Sequence, residues 1–160
     1  MIKGKSDTIY APKDNLTRMQ AVTMLTRIME LEIKGNEKSP FKDISDIPAE
    51  HRKEINAAYQ AGIINGVTTT QFKPRDFITR AQFALMLNRV YELKNDEYKV
   101  SKYAPFTDYG RYNNETKEAI TVLYELKIVE GYNGKYMPAK YTTREETAKM
   151  FSLFRPFVAK

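Results

Sequence analysis

The segment Ile78-Thr79-Arg80-Ala81-Gln82 has two counterparts in the chain, Leu16-Thr17-Arg18-Met19-Gln20 and Thr142-Thr143-Arg144-Glu145-Glu146, and the spacing around all three matches. An aromatic-x-Pro triplet precedes each one, as Tyr10-Ala11-Pro12, Phe72-Lys73-Pro74 and Tyr136-Met137-Pro138, with six positions from Pro to Arg every time. A glycine stands eight, eight and seven positions before the proline, at Gly4, Gly66 and Gly131. A second block occurs twice, at a constant offset of 65: Phe41-Lys42-Asp43 to Ile63-Ile64-Asn65-Gly66, and Phe106-Thr107-Asp108 to Ile128-Val129-Glu130-Gly131. A period of this length dictates architecture, because one such unit cannot bury its apolar face alone and must stack on a neighbour.

Each full copy reads as a front helix, a glycine-containing loop, aromatic-x-Pro, and a second helix opened by Thr-Arg. The second helices are expected at about 17–30, 79–92 and 143–154, with Ala21, Leu25 and Ile28, then Ala84, Leu87 and Val90, then Met150 and Phe154 at helical spacing. The front helices centre on Ile55, Ala58 and Tyr59, and on Ala119, Ile120, Leu123 and Tyr124. Strand signal is weak throughout, so the fold class is mostly α. The repeats are 1–35, which has only the second half, 41–95 and 104–158, expected to pack together as one structural unit.

Thr followed three residues later by Gln or Glu is a capping box, with the hydroxyl and the carboxamide or carboxylate each satisfying one amide of the first turn. That accounts for Thr17, Thr79 and Thr143 and for Gln20, Gln82 and Glu146, and it leaves the arginine unexplained. A cation at N1 opposes the helix dipole, so stability alone does not select it three times. Free amides, the dipole and a guanidinium converging on one point suit a carboxylate or phosphate, which makes Arg18, Arg80 and Arg144 candidate anion ligands. Arg80 has no acid in the two positions after it, whereas Arg144 is followed by Glu145 and Glu146. Arg80 is therefore expected to carry the least compensated charge, and Arg80→Ala to weaken binding most while the Thr79 cap preserves the fold. Gly4, Gly66 and Gly131 supply either a positive φ or room for a ligand against the backbone. Tyr10, Phe72 and Tyr136 read as core plugs ahead of sugar platforms. Asp43 and Asp108 read as turn or cap residues, with ligand contact as the alternative.

The chain has no cysteine, which excludes disulfides and thiolate chemistry, and no recognisable catalytic, calcium or nucleotide motif. The one histidine, His51, lies among charged residues and reads as solvated. An enzyme is the less favoured class, and neither cofactor nor metal is expected. A formal charge of +6 favours an anionic partner without choosing which. No apolar run is long enough to span a membrane, and the first residues lack a signal-peptide stretch.

Phe41-Lys42-Asp43, Gly62-Ile63-Ile64-Asn65-Gly66 and Ile78-Thr79-Arg80-Ala81-Gln82 together resemble the S-layer homology family, whose repeats open with Phe-x-Asp, carry Gly-Ile-x-x-Gly and close with Ile-Thr-Arg-Ala-Glu. The resemblance implies tandem helix-loop-helix repeats in a pseudo-threefold bundle, with grooves between neighbouring repeats. It implies a secreted module, held non-covalently on a bacterial cell wall or S-layer by an anionic secondary cell-wall polysaccharide that often bears a pyruvate ketal. The family's ligand arginine falls on Arg18, Arg80 and Arg144, and its glycine on Gly66; Gly4, Gly131, Gln82, Asp43 and Asp108 complete the candidate set. Departures are the absent tryptophan, with Glu50 and Glu115 near its place, Lys127 where Gly62 would recur, and Glu145 beside Arg144. The incomplete first repeat offers a surface for self-association. A repeat module that has become a protein scaffold, or a basic nucleic-acid-binding module, remains the alternative.

Overall fold

Local chain chemistry accounts for where four of the helices start and three of them stop. The computed structural model describes residues 13–96 and 98–158, and the helices are α1 Arg18–Ile28, α2 Ala49–Gln60, α3 Arg80–Lys94, α4 Asn114–Glu125 and α5 Arg144–Val158. Extended pairing among the described residues is limited to isolated bridges. The mostly helical reading therefore holds. Gly4 and Tyr10 lie outside the described residues.

Full capping boxes open α1 and α3 at Thr17 and Thr79. The same geometry opens α5, where the Glu146 amide donates to Thr143 Oγ1 at 3.2 Å and the Thr143 amide to Glu146 Oε1 at 3.0 Å. Asn113 caps α4 by accepting from the Thr116 amide. Three helices end in the same left-handed turn. Leu31, Ile63 and Ile128 donate back to Thr26, Ala58 and Leu123, while Glu30, Gly62 and Lys127 adopt φ of 51°, 81° and 63°. This is the Schellman closure, in which the positive-φ position favours glycine because it lacks a Cβ. Lys127 adopts there what Gly62 adopts freely. Lys127→Gly is therefore expected to raise stability by about 1 kcal/mol, seen as a higher urea midpoint with unchanged slope.

The chain divides into two compact units, Met1–Ile78 and Thr79–Lys160. In the first, α1 packs on α2; in the second, α3 packs on α4 and α5. A Thr-Arg helix thus packs on the front helix of the repeat that follows it. The boundary falls inside the repeat 41–95, whose front half lies in one unit and whose Thr-Arg helix lies in the other.

Both units repeat one aromatic arrangement. Phe41 contacts Tyr59 and Phe72 at 5.3 and 5.4 Å between ring centroids, and Phe106 contacts Tyr124 and Tyr136 at 5.2 and 5.5 Å. Phe72 and Tyr136 are fully enclosed, each worth roughly 2–3 kcal/mol of burial. They are core plugs, as read from the sequence.

Arg27 pairs with Glu50 at 3.0 Å, and Arg89 pairs with Glu115 at 3.0 Å, so the two glutamates near the place of the absent tryptophan hold the helix seams. Next to the first pair, the Glu54 carboxylate is buried. It accepts from Thr23 Oγ1 at 2.7 Å and lies 2.9 Å from His51 Nδ1. The reading of His51 as solvated is thereby corrected. Its ring lies over a buried acid on the same helix, one turn away, which the charged neighbours in sequence hide.

Candidate functional site

The arginines are buried. Arg18, Arg80 and Arg144 are 4%, 8% and 4% exposed, at the first position of α1, α3 and α5. Arg18 Nε donates to the Phe72 carbonyl at 2.8 Å and Nη2 to the Asn65 carbonyl at 3.3 Å, while the guanidinium stacks 4.7 Å over the Phe72 ring. Arg80 repeats this with Nε on the Tyr136 carbonyl at 2.9 Å and a stacking distance of 4.5 Å over its ring. Such stacking over an aromatic face strengthens when the cation is desolvated. Burial pushes the Arg18 guanidinium down to about 10, opposed by Asp76 and Asp43, so it stays charged near neutral pH. Burial likewise pushes the Tyr136 hydroxyl up to about 12.

The amides ahead of these side chains are taken. Arg18 N donates to the Asp76 carbonyl and Met19 N to that of Pro74; Arg80 N donates to Lys140 and Ala81 N to Pro138. The third amide of each helix goes to its Thr cap. The expected cradle of free amides is therefore not formed at α1 or α3, because the loop after aromatic-x-Pro folds back and supplies carbonyls to both helix ends. Gln82 Oε1 accepts from the Thr79 amide, as its half of the capping box.

Asp43 and Asp108 secure that loop. Asp43 accepts from the amides of Phe72 and Lys73 at 2.9 and 2.8 Å, and Asp108 from those of Tyr136 and Met137 at 2.9 and 2.8 Å. Lys73 and Met137 both sit at φ 59°, so each carboxylate fixes a strained residue.

The glycines answer to space. Neither Gly66 nor Gly131 has a positive φ. A Cβ on Gly66 would overlap the Thr68 and Gln71 carbonyls and lie 2.6 Å from the Phe41 ring; on Gly131 it would strike the Phe106 ring and lie 2.7 Å from the Lys135 carbonyl. The positive-φ reading is corrected for both, and the close approach is made by the Phe-x-Asp aromatic and the hairpin backbone.

Within Thr79–Lys160, a groove of about 620 Å³ opens beside Arg80. Tyr124, Met150 and Leu153 give it apolar walls, and Lys127, Lys149, Glu125, Glu130 and Glu146 give it charge. Arg80 Nη1 lies 3.2 Å from Glu146 Oε2, so the expectation that Arg80 carries the least compensated charge is overturned by an acid contributed from α5. Arg18 makes no ion pair among the described residues. Arg80 Nη2 makes no hydrogen bond there and remains a donor at the groove. The sequence reading missed Lys149, Glu125 and Glu130. Their signal was present in the repeat itself, where the matching positions are Leu85, Gln60 and Asn65.

The observed architecture is that of a tandem helical repeat module with a mixed polar and apolar groove next to a buried arginine. A model of the S-layer homology domain matches residues 40–84 and 105–148, more than half of the chain. The chain belongs to the S-layer homology family. It is 37% identical over 154 residues to an endoglucanase of Bacillus sp. (strain KSM-635), covering 95% of this chain and 16% of that protein. It is 33% identical to S-layer protein EA1 of Bacillus anthracis and 34% identical to an S-layer protein of Bacillus licheniformis, in each case over 95% of this chain and 17% of the relative. The chain thus spans less than a fifth of the relatives it matches. The domain is an anchoring module of the cell surface that binds cell-wall polysaccharide, and in the matched endoglucanase it accounts for a minor share of the length.

Proposed function

We propose that the chain holds its parent protein on the wall by gripping an acidic, pyruvylated secondary cell-wall polysaccharide in grooves that each join a Thr-Arg helix to the repeat that follows. The observation that carries this reading is the groove beside Arg80, where a buried guanidinium with an unused Nη2 donor meets Lys127, Lys149 and the walls of Tyr124, Met150 and Leu153. An aromatic face and short apolar walls suit the C–H face of a sugar, and cations suit its acidic substituent. Arg18, Arg80 and Arg144 are the proposed ligand arginines, shaped from behind by Gly66, Gly131, Asp43 and Asp108. No helix among the described residues is long and apolar enough to cross a membrane.

Co-sedimentation with purified wall polymer tests this. Stripping acidic ketals from the polymer by mild acid is expected to reduce binding about 10-fold or more, and Lys127→Ser with Lys149→Ala about 3–10-fold, both effects shrinking in high salt. The double variant replaces exposed side chains and keeps a Cβ at residue 127, so its melting curve should match the parent's. Retention that ignores both treatments would sink the proposal.

A further inference from the structure

The groove beside Arg80 differs in charge from the framework it shares with the preceding repeat. Glu125, Lys127, Glu130, Glu146 and Lys149 line it. At constant offsets of 65 and 64, the matching residues are Gln60, Gly62, Asn65, Gln82 and Leu85, none of them charged. The apolar members persist, with Tyr124 matching Tyr59 and Met150 matching Met86. With Arg80 included, the groove carries three cations and three carboxylates.

Four of these six charges stand in two opposed pairs. Glu146 Oε2 lies 3.2 Å from Arg80 Nη1 and 3.9 Å from Lys140 Nζ, while Oε1 accepts from the Thr143 amide and hydroxyl. Lys149 Nζ lies 3.9 Å from Glu130, while Lys127 and Glu125 make no ion pair among the described residues. Glu146 therefore sits on Arg80 where the acidic group of a ligand would sit. A ligand with only a negative charge must displace that carboxylate, leave it to half-exposed Lys140, and lie beside two further glutamates. Like-charge juxtaposition is what selects against such a ligand. A ligand bearing both signs replaces the Arg80–Glu146 pair with two new ones, one at Arg80 and one at Glu146.

We infer that this groove is specific for a zwitterionic sugar unit, one that bears a carboxylate and a free amine, with the carboxylate answered by Arg80 and Lys127 and the ammonium by Glu146 and Glu130. The inference rests on the polysaccharide reading above and adds the charge pattern of the bound unit.

An isotope-labelled sample of the chain, titrated near neutral pH and followed by its backbone amide resonances, tests it with four monosaccharides. Muramic acid carries both groups, N-acetylmuramic acid only the carboxylate, glucosamine only the amine, and N-acetylglucosamine neither. Muramic acid is expected to shift the amides of Lys127, Glu130 and Lys149 at ~5-fold lower concentration than any of the others. Glu146→Gln restores the residue type found at Gln20 and Gln82, whose side chains cap their helices equally well. In that variant, N-acetylmuramic acid should come within about 2-fold of muramic acid. Equal or tighter binding of N-acetylmuramic acid by the parent chain, or an unchanged ratio in Glu146→Gln, overturns the zwitterion inference and leaves the polysaccharide reading standing. Silence of the groove amides to all four sugars overturns the inference and the groove reading together.

Discussion

Gly66→Ala is expected to lower stability by about 3 kcal/mol, and Gly131→Ala by a similar amount, through overpacking that the surroundings cannot relieve. The added methyl at residue 66 meets two backbone carbonyls and the Phe41 ring, and that ring is already wedged between Tyr59 and Phe72. At residue 131 the obstacles are the Phe106 ring and the Lys135 carbonyl of the hairpin turned by Asn133-Gly134. Backbone oxygens cannot rotate away as the end of a lysine can. Because the chain has no tryptophan, thermal unfolding is best followed by helical circular dichroism, where a drop in midpoint of roughly 10 °C is expected. Gly62→Ala is the control. Nothing crowds a Cβ there, so the loss should be only the left-handed strain of about 1 kcal/mol.

The second large effect concerns the arginines. Arg18→Ala and Arg80→Ala are each expected to cost about 2–4 kcal/mol, because truncation strands buried carbonyls and uncovers one face of a core aromatic ring. Arg18 leaves the Phe72 and Asn65 oxygens without their donors; Arg80 leaves the Tyr136 oxygen and parts Glu146 from its cation. The expectation that Arg80→Ala would spare the fold rested on the Thr79 cap alone and left these contacts out. Urea unfolding of the two variants, with Thr79→Ser as a cap-preserving control, measures the loss. A change below about 0.5 kcal/mol would mean that the stacked guanidinium contributes nothing to the loop it holds.

The helix starts were legible because a capping box is a four-residue device, complete within Thr79 to Gln82. The core role of Phe72 and Tyr136 was legible from the repeat. What the arginines touch was not, since Arg18 reaches a carbonyl 54 positions away and Arg80 one that lies 56 away. The free-amide site failed on the same kind of distance: the carbonyls of Asp76 and Lys140 that occupy Arg18 N and Arg80 N come from the following repeat. Glu146 illustrates the limit further. Its role as a cap partner is local and readable, whereas its position on Arg80 spans 66 residues and reverses the charge argument built on near neighbours. His51 was misread because the acid it joins turns inward from the same helix.

The half-repeat offset between sequence and packing bears on how such a chain can change length. The duplicated stretch and the packed unit are out of step, so excising the repeat 41–95 removes α2 from α1 and α3 from α4 in one cut. The two surfaces left behind would nevertheless be matched partners, with Arg27 on α1 and Glu115 on α4 as equivalents of the pairs Arg27–Glu50 and Arg89–Glu115. The α1–α2 and α3–α4 seams carry the same lock and key, which lets whole repeats be lost or gained without redesigning a core.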